Sequence, residues 1–180
     1  QAQQVAEKLA DAPIRAIFSS PLERAVETAM PLSERLGVPV QVLDGLNEVD
    51  YGTWQGRSYR QLERLTLWRQ LRVAPSQVRF PGGETLMEVQ ERAVMAVQWA
   101  MTQVGADEGV ACFTHGDVVR LVTAWALDLP FDSFRLFQVD TASLTILVFG
   151  EGRLQQVRCV NQNLAGDETK TRPKARGLDR

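Results

Sequence analysis

Residues Gly109 to Arg120 constrain the fold more than any other stretch of this chain. An apolar run, Gly109 to Phe113, stops abruptly at Thr114-His115-Gly116, and a second apolar run begins at Val118. A buried strand, a tight turn and a helix account for that order. A side chain at position 115 then stands at the carboxyl end of a strand, beside the free amides of a helix start. Open α/β sheets hold their ligands in such places. His115 is also the single histidine in 180 residues.

The remaining composition narrows the classes of function. Hydrophobic residues at 44% and charged residues at 23% are those of a soluble globular domain with a core of useful size. The formal net charge of -2 supplies no long-range field for nucleic acid or an anionic membrane, so neither is expected as a partner. An anion has to be held by local geometry instead. Cys112 and Cys159 sit singly in apolar runs, a pattern of two buried free thiols rather than of a zinc site or a disulfide framework. No signal peptide and no apolar run near 18 residues is visible, and a cytoplasmic location is the default expectation.

Taken in order, the pattern predicts a helix over Gln1 to Ala10, a strand over Ile14 to Phe18, and then Ser19-Ser20-Pro21, with Ser20 as a helix cap and Pro21 at the first helical position. The helix from Leu22 to Leu36 contains Pro31, which predicts either a kink or a break into two helices. Val40 to Leu43 reads as a second strand and Leu46 to Gly56 as an ordered loop. A helix from Ser58 to Leu71 carries Arg57, Arg60, Arg64, Arg69 and Arg72 around it. That face is either solvated or reads a second acidic group on a substrate. Pro81-Gly82-Gly83-Glu84-Thr85 starts a helix reaching Val104, Val118 to Leu129 forms another, covered nearly all round, and Ser143 to Phe149 and Arg153 to Val160 form a hairpin around Gly150-Glu151-Gly152. The polar, basic residues 165–180 read as a disordered tail after a domain over residues 1–164. Strands alternating with helices and closed by a hairpin predict an α/β layered fold, with a mostly parallel sheet, helices on both faces and a C-terminal β-hairpin.

Three residues at element ends have the chemistry to meet around a phosphate. Arg24, in the first turn of a helix, offers a planar donor fork beside free amides. Glu48, next to an aromatic-rich loop, is placed to be desolvated and to carry a proton near neutrality. His115 can donate to the oxygens of a transferring phosphoryl group. Singly, each has an ordinary explanation: a surface ion pair, a solvated carboxylate, a turn histidine.

Four blocks in order resemble the histidine phosphatase superfamily, the group that includes the phosphoglycerate mutases. They are Ser19 to Ala29 (Ser-Ser-Pro-Leu-Glu-Arg-Ala-Val-Glu-Thr-Ala), Leu46 to Gly56 (Leu-Asn-Glu-Val-Asp-Tyr-Gly-Thr-Trp-Gln-Gly), Pro81 to Thr85, and Thr114-His115-Gly116-Asp117. The resemblance spans Gln1 to about Leu164. It implies a phosphoglycerate mutase-like fold and phosphoryl transfer through a phosphohistidine on a small phosphorylated metabolite, with no metal and no cofactor. Arg24, His115 and Gly116 are then the substrate-binding residues, Glu48 the proton donor to the leaving oxygen, and His115 the group that steadies the phosphoryl in transit. The short interval before Pro81 looks more like the phosphatase branch than the mutases.

The same resemblance carries one departure. The family's nucleophile belongs to an Arg-His-Gly motif on an amino-terminal strand near the middle of its sheet, and these residues contain no such segment. The expectation is therefore a truncated domain lacking its first central strand, a complete form that is a phosphatase, and little turnover by these 180 residues alone. Exposed strand edges would favour self-association, a homodimer included. The competing expectations are an inactive phosphoester- or protein-binding module of the same fold and a phosphoglycerate mutase.

Overall fold

The computed structural model describes residues 1–164. Its centre is a strand, β1 (Ile14–Ser19), with parallel neighbours on both sides: β2 (Val40–Val42) and β3 (Gly109–Phe113), in the order β2-β1-β3. Five of the six β1 residues are buried, which suits a central parallel strand covered on both faces. Ala16 and Phe18 pack with Leu46, Ala96 and Ala100, whereas Ile14 and Ile17 pack with Ala6, Ala29 and Leu32. The alternation slips once, between Ile14 and Ala16, where the register with β3 also shifts.

Helices cover the two faces as the pattern requires. On one lie α1 (Ala2–Lys8) and α2 (Glu23–Leu36), and on the other α5 (Leu86–Met101), after the short helices α3 (Tyr59–Leu62) and α4 (Thr66–Val73). A larger apolar cluster joins α5 to α6 (Gly116–Ala126) through Leu86, Val89, Val118 and Leu121, and extends to Trp54, Phe80 and Phe134. Each fully buried large side chain there stabilises the fold by about 1.5–3 kcal/mol. The C-terminal hairpin, β4 (Leu144–Gly150) with β5 (Arg153–Gln162), is antiparallel and forms a separate two-stranded sheet. Stacking of Trp125 on Phe149 ties it to α6. Among the described residues β3 pairs with β1 alone.

Several local expectations need correcting. The helix after β1 starts at Glu23, with Leu22 in the cap position and no side-chain cap. The Ser20 hydroxyl instead accepts a bond from the Leu22 amide, and the Ser20 amide is still bonded to Phe113 O just beyond the end of β1. Pro31 does not divide this helix: α2 runs through it and ends on Gly37 in the left-handed conformation (φ 66°). The stretch Ser58 to Leu71 is two helices rather than one, since the chain turns at Leu62 to Leu65. The later helices are also displaced at their ends, α5 stopping at Met101 and α6 starting two residues before Val118. Cys112 and Cys159 are free but only partly buried. The proposed tail, residues 165–180, lies outside the described residues, and no helix described is long and apolar enough to cross a membrane.

The loop before α3 is locked to the turn before α5. Thr53 donates its amide to Pro81 O at 2.9 Å, and Glu84 its amide to Asp50 O at 3.0 Å. Gly52 lies at the junction with φ 53°, and a Cβ there would strike the backbone of Pro81 to Gly83. Gly52→Ala is therefore expected to lower stability by about 2–3 kcal/mol, strain and steric overlap acting together. A reduced midpoint of urea unfolding with an unchanged slope is the check.

Candidate active site

Parallel pairing of β1 with β3 builds the site. Ser19 is in register with Phe113, so the residues that follow them leave the sheet side by side, and Ser20 donates its amide to Phe113 O at 2.9 Å. Two residues beyond Phe113 comes His115, the N-cap of α6, and four beyond Ser20 comes Arg24, in the first turn of α2. The third element arrives through Thr114, whose hydroxyl donates to Leu46 O at 2.6 Å, and this fixes the segment leading to Glu48.

Arg24, Glu48 and His115 meet at one point. Arg24 Nη2 lies 3.1 Å from His115 Nδ1 and 3.8 Å from Glu48 Oε2, and Glu48 Oε2 lies 3.7 Å from His115 Nδ1. Their exposures differ in a useful way: the side chains of His115, Glu48 and Arg24 are 5%, 26% and 63% accessible. The imidazole is fixed, the carboxyl is half-sheltered and the guanidinium reaches solvent. Gly116 opens α6 beside them, and the first-turn amides of that helix have no partner within it.

The hydrogen bonds determine the state of the imidazole. A guanidinium has only donors, so Nδ1 facing Arg24 must present its lone pair. The proton of the neutral ring is then on Nε2, which donates to Ser20 Oγ at 2.7 Å. Burial, followed by the charges of Arg24 and Arg92, lowers the His115 pKa to about 4. Glu48 shifts the other way: burial raises its pKa above 4.5, with Asp117 adding to the rise, against the Val49 amide and the two arginines. Relative to the free groups, the carboxyl holds its proton more readily and the imidazole less readily, the division of labour found where a proton must be handed over.

Residues outside the expected set hold these groups. Arg92, on α5, donates to the carbonyls of Gly45, Asn47 and Glu48 at 2.8–3.0 Å and to both carboxylate oxygens of Glu84 at 2.7 and 2.9 Å. Nothing in its helical spacing distinguishes it from a solvated charge, and sequence reasoning did not find it. Tyr51 donates to Asp117 Oδ2 at 2.8 Å, and Arg120 pairs with the other oxygen of Asp117 at 2.7 Å. Burial, then the Asp117 charge, pushes the Tyr51 phenol well above its ordinary pKa, so it remains a donor. A signal for this pair was present, since both residues lie in the quoted blocks around Glu48 and His115. Among the described residues no group of three or more His, Cys, Asp or Glu side chains is placed to hold a metal ion.

A cleft of about 640 Å³ opens beside this point, lined by Glu48 and Gly116 but by neither Arg24 nor His115. Glu48, Tyr51, Gly116, Asp117 and Arg120 form its floor, while Tyr59, Glu63, Trp68, Arg72 and Arg135 come from the elements around α3, α4 and the turn Phe131–Leu136.

Residues 1–162 match the histidine phosphatase superfamily (branch 1), and the chain belongs to that family. It is 34% identical over 146 residues to a glucosyl-3-phosphoglycerate phosphatase of Mycolicibacterium vanbaalenii, a match covering 74% of this chain and 63% of that protein. It is 27% identical over 164 residues to phosphoserine phosphatase 1 of Hydrogenobacter thermophilus, covering 85% and 73%. The structure of a mycobacterial glucosyl-3-phosphoglycerate phosphatase bound to VO3 superposes with a TM-score of 0.80 at 27% identity, over 90% of this chain and 83% of that one. The chain thus spans less than two thirds of the first of these relatives.

The opposed pKa shifts give a test. Between pH 6.5 and about 4 the unfolded chain protonates its histidine and the folded one does not, so stability tied to His115 is complete above pH 6.5 and falls as the pH drops through that window. Glu48 acts with the opposite sign, its contribution being present below pH 4.5 and lost as the pH rises past its folded value. With nitrogen-15 histidine labelling only one imidazole is observed. Its ring shifts are expected to show the Nε2–H form at pH 6 and protonation only near pH 4. An ordinary midpoint near 6.5 would contradict the buried geometry.

Proposed function

We propose that this chain belongs to a phosphomonoesterase acting on a small phosphorylated metabolite. The observation that carries this is the convergence of Arg24, Glu48 and His115 within hydrogen-bonding or ion-pairing reach of one another, with Glu48 biased toward its acid. The names of the relatives point the same way, since the two enzymes act by name on phosphoesters of small organic acids.

In the proposed reaction Arg24 and the α6 amides, Gly116 first among them, hold the phosphate oxygens. A nucleophilic histidine attacks phosphorus while the ester P–O bond breaks, and Glu48 delivers its proton to the departing alcohol oxygen. Water then attacks the phosphohistidine, returns a proton to the Glu48 carboxylate and releases phosphate. His115 assists from the side. A phosphate oxygen arriving at Nδ1 requires an N–H there, and Ser20 makes that possible without a net gain of charge. Its hydroxyl accepts from Nε2–H in the free site and donates to bare Nε2 once the proton has moved to Nδ1.

The nucleophile in this scheme comes from outside these residues, because His115 is the single histidine and is already committed to Ser20 and Arg24. A strand carrying it has a natural place: among the described residues β3 has a partner on one edge only and the hairpin stands as its own sheet. These 180 residues alone are then inactive. The two free cysteines fit a reducing cytoplasm. An inactive phosphoester-binding module with the same pocket is the second reading, favoured by the same lone histidine.

In the complete protein, Glu48→Gln is expected to reduce kcat about 10²–10⁴-fold with aryl esters of low leaving-group pKa affected least. Arg24→Ala and His115→Ala should both reduce kcat/KM. The measurement is steady-state phosphate release from alkyl and aryl phosphates, with acid-labile phosphoenzyme trapped in parallel. A Glu48→Gln enzyme equally impaired on all leaving groups would remove the proton-donor role. Absence of turnover and of phosphoenzyme, with phosphate still bound, would favour the binding module.

A further inference from the structure

We propose that Asp117 is a positioning residue for the proton donor: its negative charge, fixed on the cleft wall between Tyr51 and Arg120, keeps Glu48 supplied with the proton that the departing oxygen requires. The inference rests on the function proposed above. It assigns a task to the acidic residue in the first turn of α6, beside the amides that hold phosphate in that scheme.

A carboxylate beside an oxyanion-binding helix start repels the oxyanion and costs phosphate affinity. Compensation of the helix dipole accounts for an acidic residue in a first turn, but an exposed side chain with no tertiary partner is enough for that. Asp117 is built in more firmly. Its side chain is 15% accessible, and both oxygens are engaged: the Tyr51 hydroxyl donates to Oδ2 at 2.8 Å and Arg120 Nη1 to Oδ1 at 2.7 Å. Arg120 is held in turn, its Nε donating to Phe137 O at 2.9 Å. The charge cannot swing out of the cleft without breaking both contacts, so it acts from a fixed place with no reorganisation during the reaction.

Tyr51 is the link to the proton donor. It lies three residues after Glu48, and its phenol is close enough to both carboxyl groups for the charge of each to strengthen its hold on its own proton. Glu48, Tyr51 and Asp117 line one cleft, whose charged lining is completed by Glu63, Arg72, Arg120 and Arg135. Two carboxyl groups facing one space resist ionising together, so the fixed Asp117 charge favours the neutral form of Glu48. The other groups facing Glu48 do not help it keep a proton. Arg24, on α2, lies 3.8 Å away, Arg92 acts from α5 while paired with Glu84, and His115 is neutral above about pH 4. Among the charges acting on Glu48, Asp117 alone works in the same direction as burial.

The test is titration of Glu48 in the 180-residue protein, read from carbon-13 carboxyl shifts after glutamate labelling, with Glu48→Gln assigning the resonance. Wild type is expected to titrate above pH 4.5. Asp117→Asn should weaken the hold of Glu48 on its proton about three- to tenfold, the size of one like charge acting through partly screened protein. Arg120→Gln leaves the Asp117 charge without its counter-ion and should strengthen that hold by about threefold. The opposite signs separate charge from packing, since breaking the pair from either side admits water to Glu48 and weakens its hold in both variants if the role is structural. Asp107→Asn, which removes an equal charge from the exposed turn before β3, should change nothing. An ordinary Glu48 midpoint in wild type, an unchanged one in Asp117→Asn, or changes of the same sign in the two cleft variants overturns the role and leaves the phosphatase reading standing. That reading is tested separately by calorimetry with inorganic phosphate: a wild type that binds none removes it, and with it the use of the proton. Thermal unfolding identifies a misfolded variant, and if Asp117→Asn does not fold, the sign of the Arg120→Gln change decides.

Discussion

Everything chemical in this molecule depends on the alignment of two parallel strands. β1 and β3 are paired so that Ser19 faces Phe113, and the crossing chains leave the sheet with Ser20 beside the His115 turn. A slip of one residue would send Ser20 and His115 to opposite faces and separate Arg24 from the imidazole. The pairing is protected by burial. Ile17 and Phe18 are almost inaccessible and point into different clusters, so both faces of β1 resist a shift.

The third catalytic candidate is held by a different device. Glu48 lies on a loop, where a carboxyl would ordinarily be solvated and ionised. Three backbone carbonyls around it are gathered by the Arg92 guanidinium, whose remaining donors are taken by Glu84. Arg92 therefore spends its hydrogen bonds on the loop and not on the Glu48 carboxylate, so its charge lowers the acidity shift only at a distance. Burial prevails and the carboxyl keeps its proton more readily than a free glutamate. Burial penalises the charged form of each group, raising the acid and lowering the base, and the arginine charges oppose the first shift and add to the second, so two groups under 4 Å apart shift in opposite directions.

How far the sequence reveals this varies with the range of the interactions. The strand, turn and helix at Gly109 to Ala126 follow from local apolar runs, as does the hairpin around Gly150 to Gly152, and both were legible. Arg24, Glu48 and His115 were each legible as a residue type at an element end, and their joint order carried the family resemblance. Arg92 was not, because a helix position that bonds carbonyls 44 to 47 residues away leaves no trace in its own neighbours. Arg72, in the cleft lining, was visible only as one of five similar charges. The unbroken helix at Pro31, where a kink or a break was expected, and the false unity of Ser58 to Leu71 show the limit of propensity. Packing of Ala29 and Leu32 carries α2 through its proline, and the burial of Leu62 and Leu71 is better met by two short helices than by one.

The separation along the chain of the groups that meet has a kinetic meaning. Ser20 and His115 are 95 residues apart, while the hairpin is closed by neighbours. Loop closure on that scale is slow compared with turn formation, so β4 and β5 can assemble early and the β1–β3 junction late. The pocket is then among the last features to mature. A chain caught before that point has secondary structure and no means of gripping an oxyanion, which makes ligand-binding competence a stricter measure of complete folding than helix content.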